Sequence, residues 1–524
     1  MKKLILLVLL VSFTMQAQNV TVNSGRSFTI QSTSSLTVGG NFSNNSGTVT
    51  LNSDATNYSS IIVSGSSTGN IIYNRYVNTV VGDNGWDLIG SPVDELSISS
   101  FATSNDGSLA TTGSDPTTYA IGVYNNDTDT WTNYNSSTDV STTFDIGKGY
   151  QMASQSGSGQ TLSFTGKIYT TGTGQTQAIQ DYSGASGRIW NLVANPYPSY
   201  IYANNNANST NNILKVNYTD TDNLHNTYVG LYGYDADGTG YTIYNQSSAA
   251  TYIAPGQAFM VASDNSSPGT SISFTEAMQT TLGSDDFILG DIIEDSYELI
   301  LKLYHGDTEI DYTRFYFEDG LNLGLDPGYD AGHFNQGASL MSRLVEEDEG
   351  VGFAINAMGL ESINDVVIPL VVNQDAEQNF RINLDTFGIY AGINVYLEDN
   401  QQGTMTLLNE EDFELTPENT LSEMGRFFIH FTYDTFSIDD ELSTNILSVF
   451  KADQNNFITV EGLAVQSQET SVKLYNVVGM EVLSTSLNND TNTQTIATDR
   501  FATGVYVIKL LSGNNLLTKK LIIK

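Results

Sequence analysis

The chain has 524 residues, no cysteine, and 58 acidic against 20 basic side chains, a formal net charge of −38 at pH 7. Disulfides, thiolate zinc sites and thiol nucleophiles are thereby excluded, and the acidic excess disfavours nucleic acid and anionic membrane surfaces as partners. An apolar content of 40% over this length can bury several cores, so three or four domains are expected.

Residues 1–18 have the layout of a secretory signal peptide: Met1-Lys2-Lys3, an apolar run over residues 4–11, and a polar exit through Gln16-Ala17-Gln18. The apolar run is too short to span a bilayer, and cleavage is expected after Ala17 or Gln18. Met15 is larger than the residue usual three positions before a cut. No later stretch has the length of a membrane-spanning helix, so no transmembrane segment is expected in the mature chain.

Residues 19–75 show short apolar centres at Val22, Ile30 and Val38, then Val49 and Leu51, Ile62 and Val63, and Ile71 and Ile72, with Ser, Thr, Asn and Gly between them. Such spacing predicts a β-solenoid-like or meander segment that leans on the following domain.

Residues 76–180 and 181–284 answer to each other. Gly85-Trp86-Asp87-Leu88-Ile89-Gly90-Ser91-Pro92 matches Ile189-Trp190-Asn191-Leu192-Val193-Ala194-Asn195-Pro196, and Gly122-Val123-Tyr124 matches Gly230-Leu231-Tyr232. Ile146-Gly147-Lys148-Gly149-Tyr150 matches Pro255-Gly256-Gln257-Ala258-Phe259, and Ser163-Phe164-Thr165 matches Ser273-Phe274-Thr275. The slowly drifting offset predicts one β-sandwich-like unit used twice, with Trp86 and Trp190 in equivalent core positions. Trp131, flanked by Thr130, Thr132 and Asn133, is the better candidate for an exposed, ligand-stacking ring.

Residues 285–440 carry 33 acidic and 5 basic groups. Period-two alternation over residues 297–304, 314–317 and 427–431 predicts strands with one buried face, and residues 340–346 read as one short helix. A jelly-roll or immunoglobulin-like sandwich is expected.

Catalytic motifs are weak. His225, His305, His333 and His430 stand far apart and outside any zinc-binding spacing, although His305 and His333 lie near acids. Ser156-Gly157-Ser158-Gly159 lacks the strand-to-helix setting of a nucleophile elbow. Carboxylates are abundant, yet no spacing selects a glycosidase pair. Oxygen-rich loops offer candidate Ca²⁺ ligands: Asp235 and Asp237 in Asp235-Ala236-Asp237-Gly238-Thr239-Gly240, and Asp319, Asp326 and Asp330 in the loop over residues 319–330. Asp127-Thr128-Asp129 occupies the first of these places in the earlier unit. No EF-hand glutamate or flanking helices accompany them, and each loop reads first as an Asp/Gly turn and second as a cation site.

Residues 445–524 form short β-branched runs separated by Asn- and Gly-rich turns such as Asn455-Asn456 and Gly513-Asn514-Asn515, a small all-β module. Three motifs follow in order: Leu474-Tyr475-Asn476-Val477-Val478-Gly479-Met480-Glu481-Val482, Phe501-Ala502-Thr503-Gly504-Val505-Tyr506-Val507-Ile508-Lys509, and Lys519-Lys520-Leu521-Ile522-Ile523-Lys524. On these residues the segment resembles the type A C-terminal sorting domain of the type IX secretion system. The resemblance implies recognition by the secretion machinery, export to the cell surface or medium, and removal of the domain.

The sequence as a whole predicts an all-β, multi-domain chain of tandem β-sandwich-like units closed by a small C-terminal β-sandwich sorting domain. The function expected is that of a secreted or surface-attached, non-enzymatic protein for adhesion or for binding a glycan or protein. An extracellular polysaccharide hydrolase and a structural stalk are the alternatives.

Overall fold

A computed structural model describes residues 14–78, 86–112, 115–139, 142–155, 159–170, 174–182, 189–219, 223–235, 240–264, 270–281, 298–334, 337–363, 366–387, 393–422, 424–432, 448–450, 457–464, 468–476, 481–498, 500–502, 504–512 and 515–523, with residues 172, 283 and 466. Lys2, Lys3 and residues 4–11, Ser156, Gly157, Ser158, Asp237, Asn455, Asn456, residues 477–480, Gly513, Asn514 and Lys524 lie outside the described residues. The chain divides into two compact units, Met1–Asp434 and Thr435–Lys524. Both are built from strands.

The first nine strands wind as a three-sided parallel coil. Thr14–Ala17, Ser35–Val38 and Ser60–Val63 stack on one side. Val20–Asn23, Phe42–Asn45 and Ser67–Thr68 stack on the second, and Ser27–Ile30, Thr48–Asn52 and Asn70–Val77 on the third. Parallel neighbours need a long connection, and here each connection is the other two sides of the coil. Alternation points Val22, Ile30, Val38, Phe42, Leu51, Ile61 and Tyr73 inward, where all are buried. Asparagines stack along the coil: Asn74 Nδ2 donates to Asn52 Oδ1 at 2.9 Å, and Asn45 Nδ2 to Asn23 Oδ1 at 3.3 Å.

Asn70–Val77 also pairs antiparallel with Gln160–Lys167, so the coil runs into the next segment without a break. One core holds Val22 through Val77 together with Ile89, Phe101, Tyr150 and Phe164. A boundary at residue 75 therefore separates no cores, because the strand that would end one domain forms the wall of the next. A short helix, Ile98–Ser104, is capped by Ser97, whose Oγ accepts the Ser100 N–H at 3.1 Å. Its Phe101 packs on Phe164 at 4.5 Å between ring centroids.

Two sheets follow with four strands in the same order, the first with Thr111–Thr112 as a fifth. In the first sheet Asp87–Ile89 pairs Tyr150–Met152, which pairs Asp115–Asn125, which pairs Thr130–Asn135. In the second, Trp190–Ala194 pairs Ala258–Ala262, which pairs Leu231–Asp235, which pairs Gly240–Tyr244. Ile89 stands opposite Tyr150, and Val193 opposite Phe259; both aromatic rings are buried. The turn after the first strand is alike too. Ser91 Oγ accepts the Val93 N–H at 3.3 Å, and Asn195 Oδ1 accepts the Tyr197 N–H at 3.0 Å.

The strands from Glu298–His305 to Phe427–Thr432 join one continuous eleven-stranded sheet. It curls on itself: Phe431 lies 5.3 Å from Phe315 and from Phe317, although their strands are not neighbours in the sheet. Instead of a helix at residues 340–346, Ser339–Ser342 is a strand paired with Val366–Asn373. A seven-residue helix gains little by itself, whereas the strand places Leu340 in the core at 0% exposure.

In the second unit, Ser448–Phe450, Phe457–Glu461 and Thr493–Ala497 form one sheet. Glu481–Leu487, Thr470–Asn476, Gly504–Ser512 and Asn515–Ile523 form another. Both contribute to one core that includes Val449, Ile458, Val472, Leu474, Ile508 and Ile523. Among the described residues of the chain, no helix is long and apolar enough to cross a membrane.

Candidate ligand-binding face

Cross-strand neighbours share a face, and so do residues two apart along a strand. On one face of the second sheet this places Leu192, Met260, Tyr232 and Ile243 in a row, with Tyr234 opposite Tyr241 beside it. The same rule on the first sheet gives the row Leu88, Gln151, Gly122 and Asn133, with Tyr124 opposite Trp131 beside it. Register thus sets Gly122 in the place of Tyr232, two residues from the Gly230 that sequence matching assigns it. The Gly-x-Tyr spacing common to both strands misleads, and the even shift leaves the face unchanged.

The face of the second sheet is sealed by the eleven-stranded region. Tyr316, Ala331, Ala354, Ile355 and Ala357 share a core with Leu192, Met260, Tyr232 and Ile243. Phe334 inserts edge-on to Trp190 at 4.3 Å and to Tyr241 at 4.5 Å, and lies tilted to Tyr232 at 5.9 Å. Tyr232 donates its hydroxyl to Gly332 O at 2.9 Å, and Tyr312 donates to Tyr241 O at 3.3 Å. Trp190 is half-buried in this cluster, and Trp86 is half-buried as well, so neither indole is the fully enclosed core ring expected from its position.

The face of the first sheet is covered only in part: Leu88 is buried in the same core and Tyr124 packs against it, whereas the end at Trp131 is exposed. Trp131 is 36% exposed, and its ring lies 5.2 Å from that of Tyr124. Tyr124 donates its hydroxyl to Asp129 Oδ1 at 2.9 Å, which fixes the ring. Gly122 has no side chain, and the amides of Gln151 and Asn133 fold over it: a Cβ there would meet Gln151 Nε2 at 2.5 Å and Asn133 Oδ1 at 2.8 Å. Gln151 Nε2 donates to Asn133 Oδ1 at 3.3 Å.

The candidate cation ligands do not converge. Asp330 is buried at 0% exposure, and both its oxygens accept backbone N–H groups, Oδ2 from Asp326 at 2.6 Å and Oδ1 from Ala357 at 2.7 Å. Burial pushes its carboxyl up to about 8, against the pull of those two donors. Asp326 accepts the Asn322 N–H at 2.5 Å and its side-chain amide at 2.9 Å, and Asp319 is exposed. This loop is a strap that carries Ala331 and Phe334 onto the second sheet. Asp235 ends a strand opposite Gly240, and Asp127 and Asp129 lie in the matching hairpin turn. Among the described residues no three His, Asp or Glu side chains gather where a metal ion could be held.

The histidines are likewise dispersed. His333 Nε2 lies 2.7 Å from Asp311 Oδ2, both nearly buried, and that oxygen also accepts the Leu340 N–H at 2.9 Å. His305 sits between Gln374 at 2.8 Å and Gln378 at 3.2 Å, and His430 pairs with Glu398 at 2.8 Å. His225 accepts the Thr227 N–H, and burial holds its ring below the usual histidine value. Sequence reasoning singled out Trp131 but missed Gln151, Asn133 and Gly122. A signal was available for Gln151, which the match of Tyr150 to Phe259 sets against Met260, but Gly122 and Asn133 took their places opposite Tyr232 and Ile243 only from strand register.

In the second unit, Leu474 is buried in the shared core, and Tyr506 donates its hydroxyl to Ala502 O at 2.8 Å, tying two of the three tail motifs into the fold. Residues 453–524 match the family profile of the secretion system C-terminal sorting domain. The chain therefore carries a type IX secretion sorting signal and is a secreted, cell-surface protein. No curated protein matches it. Residues 7–431, most of its length, match the profile of a domain of unknown function, DUF8693, and the chain belongs to that family.

Proposed function

We propose that the protein is a non-enzymatic binding protein of the cell surface, in which one unit is used twice, once as a mount and once as a binding face. The carrying observation is the contrast between equivalent faces: the second is sealed by the eleven-stranded region, and the first, although Leu88 and Tyr124 join the same core, leaves Trp131 exposed beside side-chain amides. The shared strand order and register support the reading of residues 76–180 and 181–284 as one fold repeated. Export begins, in this proposal, with removal of residues 1–18, which would take Thr14–Ala17 off the parallel coil.

Purified secreted protein, incubated with insoluble polysaccharides and with isolated outer-surface proteins, should be retained by one class and release no reducing ends. Release of reducing sugar would show a hydrolase and overturn the proposal.

A further inference from the structure

We propose that the open end of the first sheet's face, floored by Gln151 and Asn133 over Gly122 and flanked by the half-buried Tyr124 and the exposed Trp131, binds a neutral glycan chain. The inference rests on the binding-protein reading above and names the ligand class and the place.

The second sheet shows what a protein cover requires here. Where Phe334 and the alanines of the eleven-stranded region settle, the row is Leu192, Met260, Tyr232 and Ile243, apolar but for one hydroxyl. In the first sheet three of those four positions become Gln151, Gly122 and Asn133. Covering that row with apolar protein would strand two amides, at a desolvation cost that hydrogen bonds to a hydroxyl-rich ligand avoid.

The remaining chemistry fits sugar. Each amide has both donor and acceptor atoms, as sugar hydroxyls do, and only the Gln151 Nε2 to Asn133 Oδ1 bond joins them. Gln151 Oε1 and Asn133 Nδ2 have no hydrogen-bond partner among the described residues. Tyr124 and Trp131 supply a rigid aromatic surface with polar tips, suited to the C–H face of a pyranose. None of the six facing positions is charged, Asp129 is engaged by Tyr124, and a net charge of −38 repels anionic polymers. An anionic glycan is thereby disfavoured, and uncharged amides and rings suit a neutral one.

The test is affinity electrophoresis of the full chain in native gels containing a soluble β-glucan, a xyloglucan or a galactomannan, with alginate as the anionic polymer. At least one neutral polymer should retard the protein and alginate should not. Trp131→Ala, and the pair Gln151→Met with Asn133→Ile, should each weaken retardation at least tenfold. Trp190→Phe, in the sealed face, should leave it unchanged. Thermal melting of each variant establishes that it is folded, and an exposed Trp131 makes that variant the secure one. Retardation that survives Trp131→Ala overturns the location and leaves the binding-protein reading standing. Absence of retardation by every neutral polymer overturns the glycan class. Self-association of the wild type that Trp131→Ala abolishes would make the face a protein interface, which also overturns the proposal.

Discussion

Gly90 and Ala194 hold the same place in the two sheets and meet face to face between them. The Gly90 N–H donates to Gly256 O at 2.7 Å, and the Ala194 N–H donates to Gly147 O at 2.9 Å, a reciprocal pair. Ile89 bridges Gln257 and Val193 bridges Lys148 in the same sense. The two sheets thus contact each other as the halves of an isologous dimer do, within one chain. Gly147 and Gly256 both have positive φ, 82° and 67°, which lets each carbonyl turn toward the other sheet.

This junction has no room. A Cβ at residue 90 would run into the Cβ of Ala194 and lie 2.6 Å from Lys148 O. Gly90→Val should cost about 1–3 kcal/mol or more from overpacking, read as a lower urea midpoint. Gly107→Ala, where nothing lies within 4 Å but φ is +77°, supplies a strain-only comparison and should cost less. Equal losses from the two would mean that the junction yields.

The two faces separate the tryptophans by stability as well as by ligand. Trp190→Ala removes the ring against which Phe334 and Tyr232 pack, and should cost about 3–5 kcal/mol. Trp131→Ala, at an exposed position, should stay within about 0.5 kcal/mol of the wild type. Differential scanning calorimetry on both variants decides it, and a large loss at Trp131 would place that ring in the core.

Asp330 links the strap to pH. Its folded carboxyl titrates at about 8 against 3.8 for the free group, so between those values the unfolded chain has released a proton that the folded chain keeps. The stabilisation from this group is present in full below about pH 4 and is lost as pH rises toward 8. Asp330→Asn cannot accept both backbone N–H groups and should cost about 1–3 kcal/mol, with the difference from wild type larger at pH 5 than at pH 8 in urea titrations. A difference that stays level between pH 5 and pH 8 would show an ionised native carboxylate.

With the oxygens of Asp326 and Asp330 already taken by N–H donors, CaCl₂ and NaCl at equal ionic strength should raise the melting temperature alike, through screening of the acidic surface. A larger shift with CaCl₂, abolished by Asp326→Asn, would make the strap a cation site after all.

Export depends on the tail. A chain ending at residue 452 should remain inside the cells, and the mass of the full protein recovered outside should lack the sorting domain. Full-length mass in the medium, ending at Lys524, would rule out removal of the domain.

The all-β class and the sorting tail were legible because both are written locally. Period-two alternation in Phe427–Thr432, and the ordered motifs around Leu474, Tyr506 and Lys519, depend only on neighbours along the chain. Ser339–Ser342 was not legible as a strand, since its conformation is set by pairing with Val366–Asn373, which lies further along the chain. Nor was the acidic strap: Asp330 reads as a cation ligand in sequence, and only folding delivers the N–H groups of Asp326 and Ala357 to its oxygens. The sequence alone placed Trp131 among polar neighbours and matched the segments around Trp86 and Trp190. Which of the two faces is fully covered was decided by tertiary structure, because the residues that seal it, Ala331, Phe334 and Ala357, arrive from distant stretches of the chain. Burial is a property of what packs above a side chain, and one strand's sequence holds only half of that contact.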